Sequence, residues 1–137
     1  MKRPLLIVVF VFIVSAVMLS ACGGGTPTSE SSIPKEYAGK TNPYAGDADA
    51  IAAGKVLFEA QCSSCHGPGG KGDGPAGQAL NPPAADLTKV TEGDDYEFYR
   101  ISEGGGFAPY NSAMPPHKST LTEDQIWKII SFVDSLK

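Results

Sequence analysis

A small all-α domain is predicted for the last two-thirds of the chain, on three observations. Residues 47–62 place Ile51, Gly54 and Phe58 on one helical face at three- and four-residue spacing, with Asp47 or Asp49 as the cap. Residues 122–136 form the clearest helix. Thr122 and Gln125 suit a capping box, Leu121 and Ile126 a hydrophobic staple, and Ile126, Ile129, Ile130 and Val133 an apolar face that Trp127, Phe132 and Leu136 widen. Between them Asp94 and Asp95 open a shorter helix carrying Tyr96, Phe98, Tyr99 and Ile101, which Gly104-Gly105-Gly106 ends. No βαβ pattern interrupts this order. Three to four helices are therefore expected within 137 residues.

The beginning of the chain has another character. Lys2 and Arg3 precede an almost unbroken apolar run from Leu5 to Leu19, followed by Leu19-Ser20-Ala21-Cys22. The run is short for a membrane span and suits the core of a signal peptide. Its last four residues resemble a bacterial lipobox. That resemblance implies cleavage before Cys22 and lipidation of its sulfur; the competing reading is an uncleaved anchor helix. Both put the domain outside the cytoplasm and tethered to a membrane, on the periplasmic or outer cell-surface side. Gly23, rather than Asp, follows Cys22 and leaves the choice of membrane open. Residues 22–45 are rich in Gly, Ser, Thr and Pro and read as a flexible tether with a reach of ~25 Å. The expected organisation is a signal peptide over 1–21, a tether over 22–45 and a folded domain over 46–137.

The chemistry sits in Cys62-Ser63-Ser64-Cys65-His66. Two thiols one helical turn apart, with a histidine directly after the second, match the attachment motif of c-type haem. Cys62 and Cys65 can add to the two vinyl groups of one porphyrin, and His66 can bind the iron. A structural zinc site wants four ligands, and only His117 remains downstream as a further Cys or His. A redox dithiol or a plain disulfide are the other competitors. One buried haem would also fill a core that so small a domain otherwise lacks.

From Gly54 to Leu136 the chain resembles a class I cytochrome c domain. The matching pieces are Gly54-x-x-x-Phe58-x-x-x-Cys62-x-x-Cys65-His66-Gly67, Met114-Pro115-Pro116, and the last helix with Trp127. The resemblance implies one covalent haem c and a close crossing of the first and last helices at Gly54, with Phe58 and Trp127 beside it. It also implies a proline carbonyl that orients His66, with Pro75 the first candidate and Pro82 the second. The text Ala84-Ala85-Asp86-Leu87 suits the family as well. The glycine-rich stretch 67–77 is expected to be loop, without helix or strand.

Phe107 to Lys118 reads as the distal loop. Met114 would be the only methionine once residues 1–21 are removed. Its soft thioether favours ferrous iron and two prolines stiffen the loop behind it. His117 and an open iron site are the alternatives. Tyr96 and Tyr99 read as core and cofactor wall, and Arg100 as a partner for a haem propionate or as an ordinary solvated arginine.

The function expected is that of a membrane-anchored carrier of single electrons, with no catalytic residues. The alternatives are the electron-entry subunit of a respiratory oxidoreductase, a small open-site haem enzyme, and a haemless lipoprotein with a Cys62–Cys65 disulfide. From Cys22 onward nine Lys and Arg stand against fifteen Asp and Glu, a net charge of −6. That balance disfavours nucleic acid and favours a redox partner, such as a membrane respiratory complex, with a basic docking face.

Overall fold

The first helix begins at the cap that the sequence offers. In the computed structural model, which describes residues 33–106 and 112–137, the Asp47 carboxylate accepts from the Ala50 N–H at 2.8 Å and helix α1 runs over Ala48–Gln61. Asp49 lies in its first turn, where an acid also suits the helix dipole. Two single-turn helices follow, α2 over Ser63–His66 and α3 over Pro75–Gln78. A 3-10 turn at Leu87–Lys89 is capped by Asp86. Helix α4 spans Asp94–Glu103 and α5 spans Glu123–Asp134. The architecture is all-α, with three longer helices and two single turns and no strand among the described residues.

Both expected caps on α5 are present. The Thr122 hydroxyl accepts from the Gln125 N–H, and the Gln125 side chain accepts from the Thr122 N–H. Leu121 and Ile126 are both buried in the core, as a staple requires. With its entry fixed, α5 turns Ile126, Ile129, Ile130 and Val133 inward. Phe58 of α1 is fully buried, its ring 5.2 Å from that of Phe132. Phe98 of α4 meets Trp127 of α5 at 4.3 Å between ring centres. Each such side chain contributes ~1.5–3 kcal/mol through burial. The α1/α5 crossing and the α4/α5 contact thus form one core.

Two expectations need correction. The stretch 67–77 is not purely loop: Pro75 opens α3, because the missing N–H and fixed φ of proline suit the first position of a helix. The second correction concerns the tether. Residues 33–46 lie on the domain as a strap across α4 and α5. Asn42 is buried and donates to the Ser131 hydroxyl at 2.9 Å, and its backbone N–H donates to the Asp94 carboxylate at 2.7 Å. The Tyr37 hydroxyl donates to Glu103, the Tyr44 hydroxyl donates to Asp124, and the Lys40 ammonium stands 4.8 Å from the centre of the Phe98 ring. This polar, proline-containing stretch is held because its backbone N–H groups reach Asp94 and Asp95 at the start of α4, while the Tyr37 side chain reaches Glu103 at its end and the Lys40 and Tyr44 side chains reach Glu123 and Asp124 at the start of α5.

The expected signal peptide, Cys22, the first part of the tether, and residues 107–111 of the distal loop lie outside the described residues. Among the described residues no helix is long and apolar enough to cross a membrane.

Candidate functional site

The motif occupies one tight turn. The Cys65 and His66 N–H groups both donate to the Cys62 carbonyl, at 3.1 and 2.9 Å. This gathers both sulfurs and the imidazole on one short stretch of chain. The two thiols are not bridged, and both are half-buried. Cys62 packs against the hydrophobic core, where burial, with a smaller contribution from Cys65, pushes its thiol up to about 11. It stays an uncharged thiol at neutral pH.

His66 is oriented by the main chain. Its Nδ1 lies 3.0 Å from the Ala85 carbonyl oxygen. A carbonyl can only accept, so Nδ1 carries the proton and Nε2 keeps the lone pair. Burial holds the imidazole below its ordinary pKa, and the bond to Ala85 opposes this. The ring is therefore neutral, with one nitrogen committed and the other available to a metal.

Ala85 corrects the expectation of a proline carbonyl. Neither Pro75 nor Pro82 takes that role. Ala85 reaches His66 because 74–85 folds tightly under the motif. A Cβ on Gly77 would stand 2.1 Å from the Cys65 carbonyl oxygen and 2.6 Å from the Ala84 Cβ, so only glycine fits. The Ala84 N–H then donates to the Gly77 carbonyl at 3.1 Å. Asp86 closes the next turn through Thr88, whose N–H and hydroxyl both donate to it. A backbone acceptor leaves no trace in side-chain chemistry, so sequence reasoning missed it; the nearest signal was Ala84-Ala85-Asp86-Leu87.

Met114 is half-buried, in the segment that returns from α4 to α5. Its carbonyl accepts from the Gly105 N–H at 2.9 Å. His117 is buried, and burial lowers its pKa. Its carbonyl accepts from the Thr120 and Leu121 N–H groups, each at 2.9 Å, so it also closes the turn that leads into α5. Arg100 Nη2 lies 3.5 Å from the Ser112 hydroxyl. Tyr96 is core, and the Tyr99 ring is 5.0 Å from that of Tyr37 in the strap. No group of three or more His, Cys, Asp or Glu side chains that could hold a metal ion is found among the described residues.

The donor set fits a covalently attached porphyrin: two unbridged thiols one turn apart and a neutral imidazole whose outer nitrogen is already engaged. Fold and site together define a small all-α haem c protein. The chain belongs to the cytochrome c family, whose profile matches residues 51–137. It is 32% identical over 97 residues to cytochrome c-554(547) of Halothiobacillus neapolitanus, covering 68% of this chain and all of that one. Among solved structures it is similar to cytochrome cL of the marine methylotroph Methylophaga aminisulfidivorans, at 31% identity and a TM-score of 0.55 over 69% of this chain. The match spans 60% of the length of that cytochrome. A chain of the reducing HAO-like protein complex of Kuenenia stuttgartiensis shares the fold, at 24% identity and a TM-score of 0.53, over 65% of this chain and 44% of that one. Membership of the family brings covalently bound haem c and a role in electron transfer, and Cys62 and Cys65 are placed for the attachment.

Proposed function

We propose that the protein is an extracytoplasmic, membrane-anchored one-electron carrier. In this reading Cys62 and Cys65 would hold haem c by thioether bonds, His66 and Met114 would bind its iron, and Cys22 would carry the lipid. The observation that carries the reading is the bond between His66 Nδ1 and the Ala85 carbonyl, because it fixes which nitrogen is free and which way the ring faces. Bound there, haem c supplies reversible one-electron chemistry at its iron. The protein's own part is to keep His66 neutral and oriented, to offer the soft Met114 sulfur that raises the reduction potential, and to keep water from the apolar side of Cys62. With His66 and Met114 both given to the iron, this reading assigns no catalytic residue. The name of the Halothiobacillus relative, a cytochrome matched over its whole length, supports a carrier of this size.

The anchor and partner rest on the sequence. Leu19-Ser20-Ala21-Cys22 supports lipidation of Cys22, and two or more acyl chains would hold the protein firmly at a bilayer. The net charge of −6 from Cys22 onward supports a partner with a basic docking face, such as a membrane respiratory complex.

The test is the optical spectrum of the purified, oxidised holoprotein. A weak long-wavelength sulfur-to-iron charge-transfer band supports Met114 ligation and the carrier role. Bound haem without that band, together with carbon monoxide binding to the reduced form, overturns both. Mass spectrometry of the membrane fraction checks the anchor: a diacylated or triacylated Cys22 at the mature N-terminus is expected, and an unprocessed N-terminus refutes it.

A further inference from the structure

The C-terminal end of α4 is where the chain meets the segment that carries Met114. The last carbonyls of a helix have no partners within it. Two of them are taken here by the returning chain: the His117 N–H donates to the Ile101 carbonyl at 3.0 Å and the Lys118 N–H to the Ser102 carbonyl at 3.2 Å. Just past the helix, the Gly105 N–H donates to the Met114 carbonyl at 2.9 Å and the Ser112 N–H to the Gly105 carbonyl at 2.7 Å. Pro115 and Pro116 stand between these bonds, with fixed φ and no N–H to divert. Met114 is thus held on one side by its own carbonyl and on the other by two rigid rings that lead to the bond at His117.

This arrangement leaves no room for a side chain at Gly104 or Gly105. A Cβ on Gly104 would lie 2.6 Å from the Met114 carbonyl oxygen and 2.8 Å from the Pro116 nitrogen. Gly104 also has φ 78° and ψ −161°, a region that is essentially confined to glycine. A Cβ on Gly105 would lie 1.8 Å from the Ser112 hydroxyl oxygen and 3.1 Å from the Met114 Cβ. The Lys118 ammonium, 2.7 Å from the Glu103 carboxylate, ties the same end of the helix to the segment a second time.

We propose that Gly104 and Gly105 are positioning residues for the axial ligand: they hold the Met114 main chain against the end of α4 and so decide whether its sulfur stays on the haem iron. The proposal rests on the reading of Met114 as that ligand. Neither glycine touches the cofactor in this account; both act through the Met114 peptide.

The test compares holoproteins, in which haem stays covalently attached whatever happens to the sixth ligand. Met114→Leu comes first, and the charge-transfer band is expected to disappear. If it persists, the ligand reading fails and this proposal falls with it. Given that loss, Gly104→Ala and Gly105→Ala are each expected to lose most of the band and to gain carbon monoxide binding in the reduced form, with haem content unchanged. The double variant Gly105→Ala/Ser112→Ala removes the oxygen that the new Cβ would strike and is expected to regain the band. Retention of the band in the glycine variants, with only a lower melting temperature, overturns the proposal and makes the two glycines merely structural. Should Gly104→Ala fail to fold, Gly105→Ala and its double variant decide the matter alone, since Gly105 does not have the positive φ of Gly104.

Discussion

Gly54 of α1 lies directly on the Lys128 carbonyl of α5: a Cβ at Gly54 would stand 1.8 Å from that oxygen and 2.5 Å from its carbon. The obstacle is backbone in the middle of a helix, which cannot turn aside as a side chain could. Gly54→Ala is therefore expected to part the two helices. Overpacking of this kind costs ~1–3 kcal/mol, and an unyielding backbone puts this site at or above the upper end. Urea denaturation of the holoprotein checks it: a midpoint equal to that of the wild type would show that the crossing is looser than this contact implies.

The crossing shows how much of the fold could be read in advance. The cost of glycine within a helix marked Gly54 as a place where room is needed; that the last helix takes the room came from the resemblance to cytochrome c. The capping box of α5 and the Asp47 cap were equally legible, since a local hydrogen bond needs only local residues. The Cys62, Cys65 and His66 grouping was legible for the same reason. What escaped was non-local or carried by backbone. The strap resembles a linker in composition, yet Asn42 finds Ser131 eighty-nine residues away. The orienting acceptor for His66 is a backbone carbonyl, and the methyl side chain of Ala85 carries no sign of it. Tyr37 and Tyr44 were the available warning, as two aromatics are unusual in a stretch that packs against nothing.

Gly77→Ala tests the support beneath His66. Its Cβ would meet the Cys65 carbonyl at 2.1 Å, so the motif and the 84–85 segment must move apart. Such overpacking destabilises by ~1–3 kcal/mol. The bond from His66 Nδ1 to Ala85 should lengthen, and with it the basicity of Nε2, the nitrogen proposed to bind iron, should fall. Faster exchange of the Nδ1 proton by NMR and a shifted reduction potential are expected. An unaltered Nδ1 signal would mean that Ala85 reaches His66 without help from Gly77.

The strap makes a separate prediction. The Asn42 side chain donates to the Ser131 hydroxyl and to the Trp127 carbonyl, and accepts from the Tyr44 N–H. Truncation in Asn42→Ala leaves buried polar groups short of a partner, at ~1–3 kcal/mol. A lower unfolding midpoint is expected, with faster amide exchange at Tyr44 and Gly39, while the haem spectrum stays unchanged because none of these groups touches the motif. Unchanged exchange at both amides would mean that the remaining bonds to Asp94, Asp95, Glu103 and Asp124 hold the strap without the Asn42 side chain.

Glu97 ties stability to pH. It is buried on α4 and accepts from the Lys137 ammonium at the end of the chain. Burial is the larger effect on its carboxyl and outweighs the nearby ammonium, so the pKa is raised above the ordinary 4.5. A raised carboxyl binds its proton more tightly in the folded chain than in the unfolded one. The unfolded state therefore holds fewer protons between the ordinary value and the raised one, and stability falls as pH rises through that window. The contribution is fully present below the ordinary value and lost above the folded one. Glu97→Gln, which is neutral at every pH and of nearly the same shape, should flatten this part of the profile. Denaturation midpoints of both proteins across that window provide the comparison: parallel profiles would assign the slope to another group, and a shallower profile for Glu97→Gln assigns it to Glu97.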